Sequence, residues 1–161
     1  DGNRIVIAWA RMPQAVDGKW NGMMCIPRVV SVKNYQIYFQ PHPHIRNAFM
    51  KEISSPEQAG KSGYLVKTTL ENGDYINIGG YQIWRKQNKL FTDRSAVFVK
   101  DDNYRLTAET PVLKDGYELE IYVDSNLIEV YANQGEAVIS SVVYGLSDII
   151  DGKAYTLYII V

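Results

Sequence analysis

Apolar and polar residues alternate along most of this chain, and helical spacing is scarce. From Glu118 to Asp124, Leu119, Ile121 and Val123 alternate with Glu118, Glu120, Tyr122 and Asp124, the period-two pattern of a half-buried strand. Ser125-Asn126 supply turn residues. Ile128, Val130 and Ala132 then alternate with Leu127, Glu129 and Tyr131, which predicts a hairpin. Asn133-Gln134-Gly135 predicts the next turn, and Glu136 to Tyr144 a further strand. Tyr155 to Val161 reads as the last strand, with Tyr155, Leu157, Ile159 and Val161 on one face. Upstream, Tyr64 to Leu70, Tyr75 to Ile78, Tyr81 to Arg85, Leu90 to Phe98 and Tyr104 to Glu109 are short and rich in aromatic or β-branched residues. Turn clusters such as Gly79-Gly80 and Lys86-Gln87-Asn88-Lys89 separate them. So many short strands predict an all-β, antiparallel two-sheet β-sandwich over residues 46–161. Arg46 to Ile53 predicts one or two helical turns, stopped by Ser54-Ser55-Pro56.

The first forty residues differ. Arg4 to Ala10 and Gly22 to Val32 are nearly continuous apolar runs, as in strands covered on both faces, with Met12-Pro13 and Asp17-Gly18 between them. They predict a strand pair over residues 1–39 that wants a partner sheet, with residues 40–45 (Gln40-Pro41-His42-Pro43-His44-Ile45) as a stiff linker. Opening at Asp1-Gly2 with a buried-type strand, the chain reads as a piece of a longer polypeptide.

Composition narrows the function classes. With 161 residues, 46% of them hydrophobic and 22% charged, the chain is not a disordered one. A net charge of -1 argues against nucleic acid as a partner. No apolar run is long enough for a membrane span, so no membrane partner is expected. One cysteine, no Asn-x-Ser/Thr acceptor and no visible signal segment fit a cytoplasmic compartment.

Each chemical constellation has a plainer reading. His42 and His44 lie two apart across Pro43 and could share a metal ion in an extended segment, yet no further ligand completes a site, and no metal is expected. Cys25 sits in the apolar run Met23-Met24-Cys25-Ile26 with no activating neighbour, which favours packing over nucleophilic chemistry. Glu118, Glu120 and Asp124, with Glu129 on the next strand, have the spacing of paired carboxylates, but alternating acids more often form the wet face of a strand. Tyr81 and Trp84 follow Gly79-Gly80, so a turn could display them for stacking on sugar rings. No phosphate-cradling loop is present, and no cofactor is expected.

Several motifs carry a resemblance in order along the chain. Trp20 to Arg28 resembles the W-x-G-x-x-x-x-P-R segment of glycoside hydrolase family 32, the invertases, levanases and sucrose-6-phosphate hydrolases. Arg4 to Pro13 resembles the strand before it, Phe39-Gln40-Pro41 the interdomain connector, and Asp93-Arg94-Ser95 the D-R-S motif. Leu119 to Tyr144 resembles the family's C-terminal signature. Arg11-Met12-Pro13, Met23-Met24 and Ile37-Tyr38-Phe39 look most like the bacterial sucrose-6-phosphate hydrolase branch.

The resemblance implies a five-bladed β-propeller followed by a β-sandwich, with three catalytic carboxylates in the propeller. None of the motifs that carry them occurs here: Asp93 follows Thr92 rather than Arg, and Cys25 follows Met24 rather than Glu. No catalytic residue is therefore carried over. The implied role is a non-catalytic C-terminal sandwich of a bacterial β-fructofuranosidase, inactive alone and partnered by its own N-terminal propeller. Residues 1–39 would be the last strands of the propeller blade, apolar enough to self-associate when unpartnered. A fructan- or sucrose-binding module and an oligomerisation domain stand as alternatives.

Overall fold

A computed structural model describes residues 2–16, 18–114 and 116–161. Five strands come first: β1 (Arg4–Val6), β2 (Trp9–Val16), β3 (Trp20–Met24), β4 (Arg28–Lys33) and β5 (Gln36–Pro41). One helical turn, α1 (Pro43–Arg46), leads to β6 (Phe49–Ile53). Then follow β7 (Tyr64–Thr69), β8 (Tyr75–Ile78), β9 (Tyr81–Lys86), β10 (Lys89–Asp93) and β11 (Thr107–Glu109). The chain closes with β12 (Glu118–Val123), β13 (Leu127–Ala132), β14 (Ala137–Val142), β15 (Ile150–Gly152) and β16 (Tyr155–Ile160).

The sandwich is as expected: an antiparallel six-stranded sheet, β14-β13-β12-β7-β16-β6, lies over a five-stranded one, β11-β10-β9-β8-β15. Turn chemistry explains the register. Gln87-Asn88 between β9 and β10, and Gly79-Gly80 between β8 and β9, hold two consecutive positive φ angles, the twist that two-residue hairpins need. In the predicted hairpin, Leu119, Ile121 and Val123 lie opposite Ala132, Val130 and Ile128. All six face the core, with Val66 and Leu157 beside them and Ile76, Ile83 and Leu90 on the facing sheet. Each Leu, Ile or Val among them contributes about 1.5–3 kcal/mol by leaving water.

Four expectations need correction. The leading segment is five strands, not one pair: β1-β4-β5 form one small sheet and β2-β3 another. The apolar run Arg4 to Ala10 is divided between them, and β1 is exposed along its length rather than covered. The helical turn begins at Pro43, whose ring suits a first helical turn, whereas Phe49–Ile53 pairs with β16 as an edge strand. That tertiary pairing overrides local helical preference. Leu90 to Phe98 is also not one strand. It stops at Asp93, whose Oδ1 accepts the Ser95 N–H at 2.7 Å and starts a 3-10 turn at Ser95–Val97. The expected chain opening at Asp1 and break at Asp17 lie outside the described residues.

Candidate functional site

Part of the outward face of the six-stranded sheet is covered, and the segment before the sandwich supplies Ile26 and Ile45 to that cover. Tyr122 and Tyr131 pack edge to face, their ring centroids 5.6 Å apart, and Leu65 lies between strands beside them. Ile26, Ile45, Phe49, Val138 and Tyr158 close over this cluster. The face that the alternation assigns to water is therefore a second core. Glu129, on the same face, is 1% exposed.

A buried carboxylate is tolerated only when fully engaged. After β3 ends at Met24, the segment Cys25-Ile26-Pro27 crosses the sheet, and β4 opens on Arg28. The Ile26 N–H donates to Glu129 Oε2 at 2.7 Å. The Arg28 guanidinium forms an ion pair with Glu129 Oε1 and donates to Ser140 Oγ, while its Nε donates to the Tyr131 hydroxyl at 3.1 Å. The Ser140 hydroxyl in turn donates to Glu129 Oε1 at 2.7 Å. Burial lowers the Arg28 pKa, but the Tyr131 hydroxyl and the Glu129 carboxylate outweigh it and hold it above its ordinary value. The Cys25 thiol is raised, first by burial and then by the Glu129 charge. A raised, buried thiol is a poor nucleophile.

The other motif residues tighten the same junction. The Asn133-Gln134-Gly135 turn presents the Gly135 carbonyl to the Phe39 N–H at 2.9 Å. A Cβ on Gly135 would stand 2.3 Å from the Phe39 carbonyl oxygen, and its φ is +93°; only glycine fits. Asn133 Nδ2 donates to Glu136 Oε2 at 2.7 Å, which shapes the turn. Gly22 leaves the room that the Trp9 indole occupies: a Cβ there would lie 2.1 Å from the ring. At the far end, Tyr144 donates to the Gln14 carbonyl at 2.8 Å and ties the β2-β3 ribbon to the sandwich. Arg94 of the D-R-S motif donates through Nε and Nη2 to the Arg105 carbonyl and through Nη1 to the Val142 carbonyl. It fastens a loop.

The remaining candidates are dispersed. Glu120 pairs with Arg46 at 2.7 Å, and Asp124 Oδ1 accepts the Ser125 N–H; Glu118 is exposed at the start of β12. Glu129 is committed to Arg28; Glu118 and Glu120 line one open groove, where Arg46 and Lys67 stand beside Glu120. His42 caps α1 by accepting the His44 N–H at 3.3 Å, and the two rings meet edge to face with centroids 4.9 Å apart. Among the described residues, no group of three or more His, Cys, Asp or Glu is placed to hold a metal ion. No helix of the described residues is long and apolar enough to cross a membrane.

Tyr81 corrects a sequence expectation. It is fully buried, its hydroxyl 2.8 Å from Ser141 Oγ across the two sheets. It faces the core because Tyr81, Ile83 and Arg85 share the inward face of β9. Trp84 faces out and stacks on Phe91, ring centroids 5.6 Å apart and planes 12° from parallel. Tyr75 lies on its other side in the strand register. Sequence reading missed Tyr75 and Phe91, although the alternation Tyr75-Ile76-Asn77-Ile78 carried the signal.

Comparison with known proteins places this geometry. The family profile described as "Glycosyl hydrolases family 32 C terminal" matches residues 30–155. A sucrose-6-phosphate hydrolase of Vibrio alginolyticus is 25% identical over 155 residues, 87% of this chain and 32% of that protein. A levanase of Bacillus sp. (strain L7) is 27% identical over 184 residues, 89% of this chain and 20% of that protein. The chain thus spans about a third or less of the curated relatives it matches. In fold, it is similar to a solved sucrose-6-phosphate hydrolase from Lactobacillus gasseri, with TM-score 0.78, 20% identity, and 99% of this chain on 39% of that one. It is also similar to an exo-inulinase from Aspergillus awamori, with TM-score 0.72, 16% identity, and 99% of this chain on 40% of that one.

Proposed function

The chain belongs to glycosyl hydrolase family 32 as that family's C-terminal domain, and from that premise we propose that it is the non-catalytic sandwich of a bacterial, cytoplasmic β-fructofuranosidase acting on sucrose or sucrose 6-phosphate. Its task is to carry residues 1–39 as the last strands of a catalytic propeller blade, with residues 40–45 as the link to a sandwich over 46–161. The buried Arg28–Glu129 pair is the observation that carries this reading. It grips the leading strands from the sandwich side. Their other surfaces expose Ile7, Trp9, Met24, Val32 and Ile37, each more than 45% accessible. An apolar surface of this kind invites a partner, and a propeller supplies one. Catalytic carboxylates would come from that partner, because the most buried acid described in this chain, Glu129, is spent on Arg28.

Two measurements test the proposal. The chain is assayed for fructose release from sucrose and sucrose 6-phosphate, and none is expected; turnover by the chain alone overturns the non-catalytic role. Light scattering then follows its mass against concentration. Association is expected, and Val32→Ser with Ile37→Ser, cross-strand neighbours on β4 and β5, should shift it toward monomer. A monomer at every concentration in the parent chain overturns the docking surface.

A further inference from the structure

The two outward faces of the sandwich differ in kind. The face of the six-stranded sheet carries an apolar patch around Leu65, Tyr122 and Tyr131 that protein covers, with Ile26 and Ile45 among its contacts. The face of the five-stranded sheet is uncovered. Its outward positions are three aromatic residues and otherwise Asn, Gln, Thr, Lys, Asp and Glu, with no aliphatic side chain among them.

The three aromatics form a row. Tyr75 of β8 pairs with Trp84 of β9, and Trp84 pairs with Phe91 of β10. Strands lie about 4.8 Å apart, so the row spans about 10 Å, close to the length of a disaccharide. Tyr75 is 53% exposed. Asn77 and Gln82 stand opposite each other on the next row, amides that can both donate to and accept from hydroxyls. A groove of about 860 Å³ continues from Trp84 and Phe91 past Arg94, Arg105 and Leu106 to Glu109 at the β11 edge, with Ser140 and Ser141 of the other sheet on its far wall. Glu109 is paired with Lys89 at 3.1 Å, so the row ends in a compensated pair rather than a free charge.

We propose that this face binds a neutral sugar chain through Tyr75, Trp84 and Phe91. Flat rings accept the C–H faces of a sugar, and flanking amides take its hydroxyls. The covered patch on the opposite sheet meets protein through aliphatic side chains such as Leu65, Ile26 and Ile45, which the strand positions of this face lack. Arg94 and Arg105 line the same groove, so sucrose 6-phosphate joins the titration, and tighter binding of it than of the neutral chains overturns the neutral-sugar proposal. Tyr75, Trp84 and Phe91 stand on the sheet away from the leading strands, so substitutions at Tyr75 leave the docking surface intact.

The chain has three tryptophans, Trp9, Trp20 and Trp84, so the indole N–H resonances report the site directly. The chain is titrated with inulin-type and levan-type fructo-oligosaccharides and, separately, with malto-oligosaccharides. A saturable shift of the Trp84 resonance with at least one probe is expected, at millimolar affinity, while Trp9 and Trp20 stay in place. Tyr75→Ala should weaken that binding about tenfold, the loss of one stacked ring. Tyr75 is half exposed, so this variant keeps the fold where Trp84→Ala could lose it. The proposal is overturned by no Trp84 shift with any probe, by shifts confined to Trp9 or Trp20, or by unchanged affinity in Tyr75→Ala. Self-association that Tyr75→Ala abolishes and sugar leaves untouched overturns it too, in favour of a protein occupant.

Discussion

If the Arg28–Glu129 pair holds the leading strands onto the sandwich, removing one charge should cost far more than removing both. In Glu129→Gln, the guanidinium stays where its side chain is 13% exposed, without its counter-ion. In Arg28→Met, the carboxylate stays 1% exposed, with only the Ile26 N–H and Ser140 hydroxyl to satisfy it. Breaking a buried pair from one side costs about 3–5 kcal/mol. For a chain of this size that is a fall in Tm of roughly 6–20 °C. The double variant Arg28→Met, Glu129→Gln leaves no orphaned charge and should recover at least about 2 kcal/mol relative to the sum of the singles. Urea unfolding of the four chains measures this. Cys25 offers a second readout, because it is 3% exposed and lies in the crossing segment. If the single substitutions ease lifting of the leading strands by about 3 kcal/mol, alkylation of Cys25 under native conditions should quicken about 100-fold. Coupling below about 0.5 kcal/mol, with Cys25 no more reactive than before, would refute the reasoning and reduce the pair to an incidental contact.

Three further outcomes follow from the same geometry. Gly135→Ala drives a Cβ into the Phe39 carbonyl and should cost more than about 2 kcal/mol, whereas Gly145→Ala, also at positive φ but with nothing within 4 Å, should cost only about 1 kcal/mol; equal losses in urea melts would dismiss the close approach. Arg94→Lys keeps the charge but can satisfy only one of the two carbonyls on Arg105 and Val142, so a loss of about 1–2 kcal/mol is expected in thermal unfolding. Burial raises Tyr64 to about 12, with the Asp148 charge adding, and also raises Tyr81, Tyr122 and Tyr131. The fold favours their neutral form, so their stabilisation is complete below the ordinary value near 10 and is lost as pH rises from 10 toward 12. Phenolate absorbance should therefore appear in two stages, the later one coincident with loss of the β signal in circular dichroism; a single titration near 10 by an intact fold would count against it.

Much of the sandwich was legible because period two and turn chemistry act locally. Leu119, Ile121 and Val123 face the core as alternation requires, and Gly79-Gly80 turns where two positive φ angles are needed. The site was less legible because alternation says which residues share a face, not what covers it. Glu129 reads as a wet-face acid, and its partner Arg28 lies 101 residues earlier. The P-R motif was visible, but its role depended on that long-range meeting. Tyr81 and Trp84 are a different case. Their separation of three places them on opposite faces of one strand, so the sequence itself forbade displaying both.

The two unclaimed surfaces of this chain make opposite chemical demands. On the leading strands, Val32 and Ile37 pair across β4 and β5 with both side chains more than half exposed. Water gains nothing from such a pair, and only burial against other apolar groups lowers its free energy. On the five-stranded sheet, Trp84 is already shielded by Phe91, and the amides beside it keep their hydration until a ligand replaces it. That surface is stable when bare and selective when occupied, whereas the leading strands are costly when bare. A single chain can carry both only if they are kept apart. The buried carboxylate at Glu129 helps by fixing the apolar strands to one sheet and leaving the other sheet free.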